Sequence, residues 1–148
     1  MLHKHLRRPR AARAENDNGF TLIELLVVVV IIGILIAIAL PLYMNFENGS
    51  KNSSAETDVH NAVVVVNQCE SDNGGNVPAI PAGNGTKNTD LVFNCPTSDN
   101  QQTATVSPGN TLTFGVLPDG ANYTIAGTNA DGGKTYTYNS TTGQIATS

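Results

Sequence analysis

The chain has 148 residues and a formal net charge of −4, which leaves room for one modest globular domain. The charge is unevenly divided: residues 1–19 hold five basic and two acidic side chains, whereas the remainder holds three lysines, no arginine and ten carboxylates. Nucleic-acid binding depends on Lys and Arg side chains that neutralise phosphates, so we expect no direct nucleic-acid partner for this acidic remainder.

The first segment, residues 1–18, is polar and basic and predicts no packed structure. Residues 20–40 follow as FTLIELLVVVVIIGILIAIAL, in which Glu24 is the single charge. A helix needs about 20 such residues to cross a bilayer. The basic charge before the apolar run predicts that this first segment stays in the cytoplasm and that everything after Pro41 lies outside.

The position of Gly19 indicates that this apolar run is kept. A secretory signal peptide is cut at a small residue that follows its apolar region, and the apolar part is lost. Here the small residue stands before the run. An ordinary linker glycine is the alternative interpretation of Gly19.

Residues 42–74 are predicted to continue the helix with an amphipathic character. Ala55, Val59, Ala62, Val63 and Val66 recur at helical spacing on one face. Glu56, Asp58, Asn61 and Asn67 are expected outside that stripe. The run Val63–Val66 also suits a strand, but the flanking periodicity favours helix, and Asp72-Asn-Gly-Gly predicts its end.

Residues 75–148 predict a small β-rich head. Four runs have strand character: Leu91–Asn94, Thr111–Val116, Asn122–Ala126 and Lys134–Asn139. Turns are predicted at Pro118-Asp-Gly and Asp131-Gly-Gly. The expected fold is therefore α+β: a long amino-terminal helix, with a transmembrane half and an amphipathic half, packed against a small antiparallel sheet of three or four strands.

The two cysteines, Cys69 and Cys95, lie on the exported side of the apolar run and predict a disulfide, with two buried free thiols as the alternative. No Cys or His spacing indicates a metal, and no cofactor is expected. Nor does the chain show a nucleophile with a base, paired catalytic carboxylates or a metal cluster, so an enzyme is not expected.

The motif Gly19-Phe20-Thr21-Leu22-Ile23-Glu24, followed by an unbroken apolar run, resembles the processing signal of type IV prepilins and the related pseudopilins. The match extends to about Tyr43 and includes Gly33, Pro41 and Leu42. The resemblance implies the pilin fold, cleavage between Gly19 and Phe20 by a membrane prepilin peptidase, N-methylation of Phe20, and assembly by helix packing into a filament.

The resemblance also implies roles for residues within the helix. Glu24 is expected to pair with the new amine of a neighbouring Phe20, because a carboxylate in an apolar segment is costly without a partner. Solvation of Glu24 at the membrane interface is the alternative. The stretch marked by Gly33 and Pro41 is expected to kink or to lose helicity on assembly, and an ordinary proline kink remains open.

Four segments are expected: a cleaved leader at 1–19, a transmembrane and filament-core helix at 20–41, an amphipathic helix at 42–74 and the head at 75–148. The subunit is expected in the inner membrane first, in contact with lipid, and then in an extracellular homo-oligomeric pilus that serves adhesion, motility or DNA uptake. The pilus assembly platform and its ATPase would act indirectly. The alternatives are a pseudopilin of a secretion or competence system and an anchored monomeric binding module.

Overall fold

A computed structural model describes residues 19–95 and 101–148 of the chain. One helix and six strands make up these residues: α1 (Leu22–Asp72), β1 (Leu91–Phe93), β2 (Gln102–Ala104), β3 (Asn110–Val116), β4 (Tyr123–Asn129), β5 (Thr135–Asn139) and β6 (Gln144–Thr147). The chain divides into two units, Met1–Ala39 and Leu40–Ser148. The predicted α+β class is confirmed.

The first unit is helical from Leu22 and apolar on all sides. Its large side chains are mostly more than half exposed, among them Ile23 at 67% and Ile38 at 68%. The most apolar 18-residue window of α1 has a mean hydropathy of 3.3, so the helix is long and apolar enough to cross a membrane. The predicted transmembrane half is therefore supported by length and composition.

In the second unit α1 continues through Pro41 and ends at Asp72, as the turn chemistry predicts. Gly74 and Gly75 follow with φ of +65° and +87°, a backbone region that glycine adopts without steric cost. The amide of Gly75 donates to the carbonyl of Glu70 at 2.7 Å and so closes the last turn. The residues that α1 buries are Asn52, Ala55, Asp58, Val59, Ala62, Val66 and Cys69.

The strands form two antiparallel sheets, not the single sheet expected. β3, β4, β5 and β6 make a four-stranded meander in that order, and β1 pairs with β2 in a separate ribbon. The predicted first strand therefore lies outside the main sheet, and β2 and β6 were not predicted. Both predicted turns are confirmed, since the β3–β4 and β4–β5 hairpins close around residues 117–122 and 130–134.

The core lies between α1 and the inner face of the main sheet. Alternate residues of β3 and β4 are buried, so that Leu112, Phe114, Tyr123 and Ile125 face the helix. Phe114 packs edge-on against Phe93 of β1 at a centroid distance of 5.2 Å, which ties the ribbon to the same core.

The outer side of β3 is covered by residues 82–90, which we call the edge loop. The amides of Gly85 and Asn88 donate to the carbonyls of Leu112 and Asn110, both at 2.9 Å. The side chain of Asn84 donates to the carbonyl of Phe114 at 3.0 Å and accepts from its amide at 2.6 Å. These bonds satisfy backbone groups that an edge strand otherwise leaves unpaired.

Candidate processing and assembly site

The predicted processing site lies immediately before the first turn of α1. Gly19 and Phe20 have no regular secondary structure and are exposed, and the side chain of Phe20 is 87% exposed. A methyl group added at Gly19 meets no atom within 4 Å. None of the described residues therefore covers the peptide bond between Gly19 and Phe20, and an enzyme can reach it.

Thr21 and Glu24 form a reciprocal cap at the start of the helix. The amide and the hydroxyl of Thr21 donate to Oε2 of Glu24 at 2.9 and 2.8 Å, and the amide of Glu24 donates to Oγ1 of Thr21 at 3.3 Å. This arrangement, a Thr followed three residues later by a Glu, satisfies amides that a helix start leaves unpaired. The pattern is visible in the sequence as Thr-Leu-Ile-Glu, but its capping role was not predicted.

The position of Glu24 also suits the macrodipole of α1. A carboxylate in the first turn is stabilised by the partial positive charge at the amino end of a helix. Both hydrogen bonds from Thr21 end on Oε2, so Oε1 is the carboxylate oxygen that those two bonds leave available. The carboxylate of Glu24 thus caps the helix through Oε2 and can accept a further hydrogen bond through Oε1.

Gly33 and Pro41 both lie inside α1. A methyl group added at Gly33 meets no atom within 4 Å, so no close packing in this chain requires a glycine there. Pro41 lacks the amide that would donate to the preceding turn, which removes one helical hydrogen bond. The predicted weakness of this stretch stays a prediction.

The structure joins Cys69 and Cys95 in a disulfide, as predicted, with their Cα atoms 5.3 Å apart. Cys69 is fully buried and Cys95 is 4% exposed. The bond connects the last turns of α1 to the residue two positions after β1. No free cysteine remains, and the described residues hold no group of three or more His, Cys, Asp or Glu side chains placed to bind a metal.

Asp58 does not lie outside the buried stripe, so that expectation was wrong. The residue is 3% exposed, and its carboxylate accepts from the amide and hydroxyl of Ser107, both at 2.8 Å, and from the side-chain amide of Asn110 at 2.7 Å. Asn110 in turn accepts from Asn129 at 2.7 Å. These donors allow the carboxylate to be buried, because they replace the water that it loses.

Comparison with known proteins confirms the resemblance of the amino-terminal segment. The family model described as the prokaryotic N-terminal methylation motif matches residues 16–40. The type IV major pilin protein PilA of Myxococcus xanthus (strain DK1622) is 56% identical over 43 residues, which are 29% of this chain and 20% of that protein. The type IV major fimbrial protein FimA of Dichelobacter nodosus is 43% identical over 56 residues, 38% of this chain and 36% of that protein.

The family model covers residues 16–40, in the amino-terminal part of the chain. The matched stretches span about a fifth and about a third of the two relatives, and no solved structure matches. Both relatives are named as pilus or fimbrial proteins, and neither name is that of an enzyme. The prepilin-type signal at residues 16–40 is therefore shown, and the head is described by its own structure.

Proposed function

We propose that this chain is the structural subunit of a type IV pilus, made as a prepilin, cut between Gly19 and Phe20, and polymerised into a surface filament. The observation that carries the proposal is the amino-terminal segment. There an exposed peptide bond precedes the capped start of α1. The part of α1 in the first unit is apolar on every side, and the methylation-motif model matches this region.

The first unit requires partners that the isolated chain does not supply. Its described apolar side chains are exposed all around the helix, which in water would be unfavourable by about 25 cal/mol for each Å². Lipid satisfies this surface before assembly, and the same surface of neighbouring subunits satisfies it afterwards. Storage in the membrane, followed by assembly into a homo-oligomeric helical filament, therefore gives the apolar surface of the first unit a partner at each stage.

Glu24 supports assembly through the amine that cleavage creates. The new α-amino group of Phe20, which we expect to be N-methylated, carries a positive charge at the amino end of the chain. We assign Oε1 of Glu24 as the acceptor for this group in a neighbouring subunit, because Thr21 already binds Oε2. Such a pair reduces the cost of a carboxylate among apolar helices and fixes the axial register between subunits.

The stretch from Gly33 to Pro41 is the part of α1 that we expect to lose helicity on assembly. Glycine costs roughly 1 kcal/mol relative to alanine in a helix interior, and proline removes a hydrogen bond. Once a subunit leaves the membrane, neighbouring chains and water can satisfy the freed backbone groups. Unwinding there would allow the filament to extend under load.

The head suits the outside of a cell. Its disulfide is stable in an oxidising compartment, and the exposed residues among those described are mostly small or polar, with Thr the most frequent. The basic leader places the amino terminus in the cytoplasm and the head outside. The subunit would meet the prepilin peptidase at the membrane, then the assembly platform and, through it, the ATPase, and the assembled fibre would serve adhesion, motility or DNA uptake.

A pseudopilin of a secretion or competence system is the alternative with the same signal. Both relatives named above are major pilus or fimbrial proteins, which favours the pilus. An anchored monomer is less favoured because it leaves the exposed amino-terminal cleavage motif without a role.

The test is intact mass and amino-terminal sequencing of protein sheared from the cell surface, with and without reductant. We expect a chain that begins at N-methylated Phe20 and gains two hydrogen atoms on reduction. A chain that keeps residues 1–19 and remains with the membrane fraction would overturn the proposal in favour of the anchored monomer.

Two variants sharpen the test. Gly19→Ile places a branched side chain at the scissile bond and is expected to leave the leader attached and the surface free of fibres. Gly49→Ala lies in open space in α1 and serves as the control, with processing and fibres retained. Equal processing of both variants would show that position 19 does not define the cleavage site.

A further inference from the structure

The two edges of the main sheet are treated differently. The outer side of β3 is covered by the edge loop, whose hydrogen bonds reach Asn110, Leu112 and Phe114. β6 ends the strand order on the other side, and within the described part of the chain no strand pairs with its outer side. Of the two edges of the main sheet, as far as the described residues show, the β6 edge is therefore the one with a free ladder of backbone groups.

The register of β5 and β6 fixes which groups of β6 point outward. Thr135 and Ser148 exchange both backbone hydrogen bonds, at 2.9 and 3.0 Å. Hydrogen-bonded pairs alternate along an antiparallel ladder, so Thr137 and Ala146 form the next such pair and Ile145 and Thr147 do not bond to β5. The amides and carbonyls of Ile145 and Thr147 are thus directed away from the sheet.

Apart from its short length of four residues, this edge lacks the features that usually prevent pairing. Natural edge strands are protected by charged side chains, prolines, bulges or a covering segment. β6 has the sequence Gln-Ile-Ala-Thr, its register with β5 is unbroken, and Gln144, Ala146 and Thr147 are exposed. The neighbouring strand, β5, is also free of charge and proline.

We propose that β6 pairs with β6 of a second copy of this chain, in antiparallel orientation about a two-fold axis at Ala146. In this register Ile145 faces Thr147 of the partner subunit, and the two residues exchange both backbone bonds. The symmetric pair does the same, so that four hydrogen bonds use every outward group of both strands. A shift of the centre to Ile145 or Thr147 would leave some of these groups without a strand partner.

The side chains of β6 permit this pairing. Ile145 packs against the core on the inner face, so Gln144 and Ala146 lie on the outer face. The two copies of Ala146 form a pair without hydrogen bonds, in which the Cα atoms approach to about 4.5 Å. A methyl group on each strand fits this separation without a clash and without burying a charge.

The symmetry determines where such a contact can occur. A two-fold axis between antiparallel strands stands normal to the sheet and reverses the segment of α1 that packs on that sheet. In the filament of the proposed function all subunits point the same way, so this contact cannot join two subunits of one fibre. The contact instead joins heads of two antiparallel fibres, a consequence that rests on the proposed function.

A single contact of four hydrogen bonds is weak, since each bond replaces hydrogen bonds that the same backbone groups make to water. Two fibres side by side repeat the contact along their length, and the repeated contacts act at a high effective concentration. We therefore expect isolated subunits to pair weakly and fibres to associate laterally.

Cysteine crosslinking of the full chain in detergent tests the pairing without any need for fibres. Ala146→Cys places two thiols across the proposed axis and is expected to give a severalfold larger disulfide-linked dimer fraction than Thr113→Cys. Thr113 is an exposed residue on the same outer face, but on the covered strand β3. Equal dimer fractions for the two variants would overturn the pairing.

Charge exchange tests the symmetry. Ala146→Lys and Ala146→Glu each bring like charges together at the axis, which disfavours pairing. An equimolar mixture of two differently tagged chains, one carrying each variant, is expected to restore co-purification above the level of either variant alone. Failure of the mixture to exceed both single variants would exclude a contact centred on residue 146.

Electron microscopy of sheared fibres tests the consequence. Wild-type and Thr113→Lys fibres are expected to form lateral bundles, and Ala146→Lys fibres are expected to remain single. Bundles that persist in Ala146→Lys would refute the role in fibre association. Absence of wild-type fibres would count against the proposed function, whereas the detergent experiments would still decide the pairing.

Discussion

Gly127 of β4 packs closely against Val59 of α1, with no room between them for a further side-chain atom. A methyl group added to Gly127 would stand 2.5 Å from Cγ2 of Val59 and 2.9 Å from the carbonyl oxygen of Ala55. The backbone φ of Gly127 is not in the left-handed region, so space, and not backbone conformation, requires the glycine here.

We therefore expect Gly127→Ala to lower the free energy of unfolding by about 1–3 kcal/mol, the usual cost of overpacking a well-filled core. Chemical denaturation of the detergent-solubilised chain, followed by near-ultraviolet circular dichroism, measures this change. Gly115→Ala is the matched control on β3, because its added methyl meets Thr124 at 3.4 Å, an ordinary contact. Equal stabilities of the two variants would contradict the close approach.

Asp58→Ala is expected to destabilise the head by about 3 kcal/mol, because it removes the acceptor of two part-buried donors of Ser107 and of one bond from the buried Asn110 side chain. Hydrogen exchange at the amide of Ser107 should accelerate in this variant. The control is Glu56→Ala. Glu56 lies about half a helical turn before Asp58 and is less buried, so this substitution is expected to change stability by less than about 0.5 kcal/mol. Unchanged exchange at Ser107 would show that Asp58 does not anchor this connection.

Removal of the disulfide by the double substitution Cys69→Ala and Cys95→Ala is expected to cost about 3 kcal/mol, since the bond closes a loop with a sequence separation of 26. Both cysteines are buried, so reductant should reach the bond only when the chain opens. The rate of reduction in the native state, compared with the rate in denaturant, measures this protection. Similar rates under both conditions would count against it.

Burial raises the pKa of Glu70 above the ordinary 4.5 of a glutamate, so folding disfavours its charged form. Below that ordinary value both folded and unfolded chains are protonated, and no penalty exists. The penalty develops as the pH rises through the folded pKa. Glu70→Gln is therefore expected to raise the melting temperature at pH 7 and to leave it unchanged near pH 3, and an equal effect at both pH values would contradict this cause.

Glu24→Gln is expected to leave cleavage intact but to reduce the amount of filament, because the amide can still cap Thr21 but cannot pair with a neighbouring amine as a charge. The ratio of sheared to membrane-bound mature subunit measures assembly. Glu56→Gln, outside the membrane-spanning run, is the control and should retain the wild-type ratio. Wild-type filament yield from Glu24→Gln would remove the proposed role of the carboxylate.

Local signals account for the features that the sequence predicted well. The apolar run, the Gly19-Phe20 motif and the turn after Asp72 each depend on neighbouring residues, and the structure places the helix and its end accordingly. The alternation in β3 and β5 is likewise local, and both strands were predicted to within a residue or two.

The features that were missed depend on distant partners. Asp58 is buried because its donors, Ser107 and Asn110, come from 49 and 52 positions along the chain. β6 has only four residues, too few to predict a strand from Ile145 and Thr147 alone, and becomes a strand because β5 offers it a ladder. β2 has only three residues, too few to show a period, and pairs with β1 across residues 94–101.

Thr21 and Glu24, which cap α1, are not the residues that the proposed scissile bond joins. Both members of the cap lie after the proposed cleavage site, and the bond between Gly19 and Phe20 lies in backbone without regular secondary structure. A peptidase that cuts this bond would not have to unwind any turn of α1. The mature chain would then keep a sealed helix end only one residue from its new terminus, so the newly exposed amine would be held close to the helix that must dock.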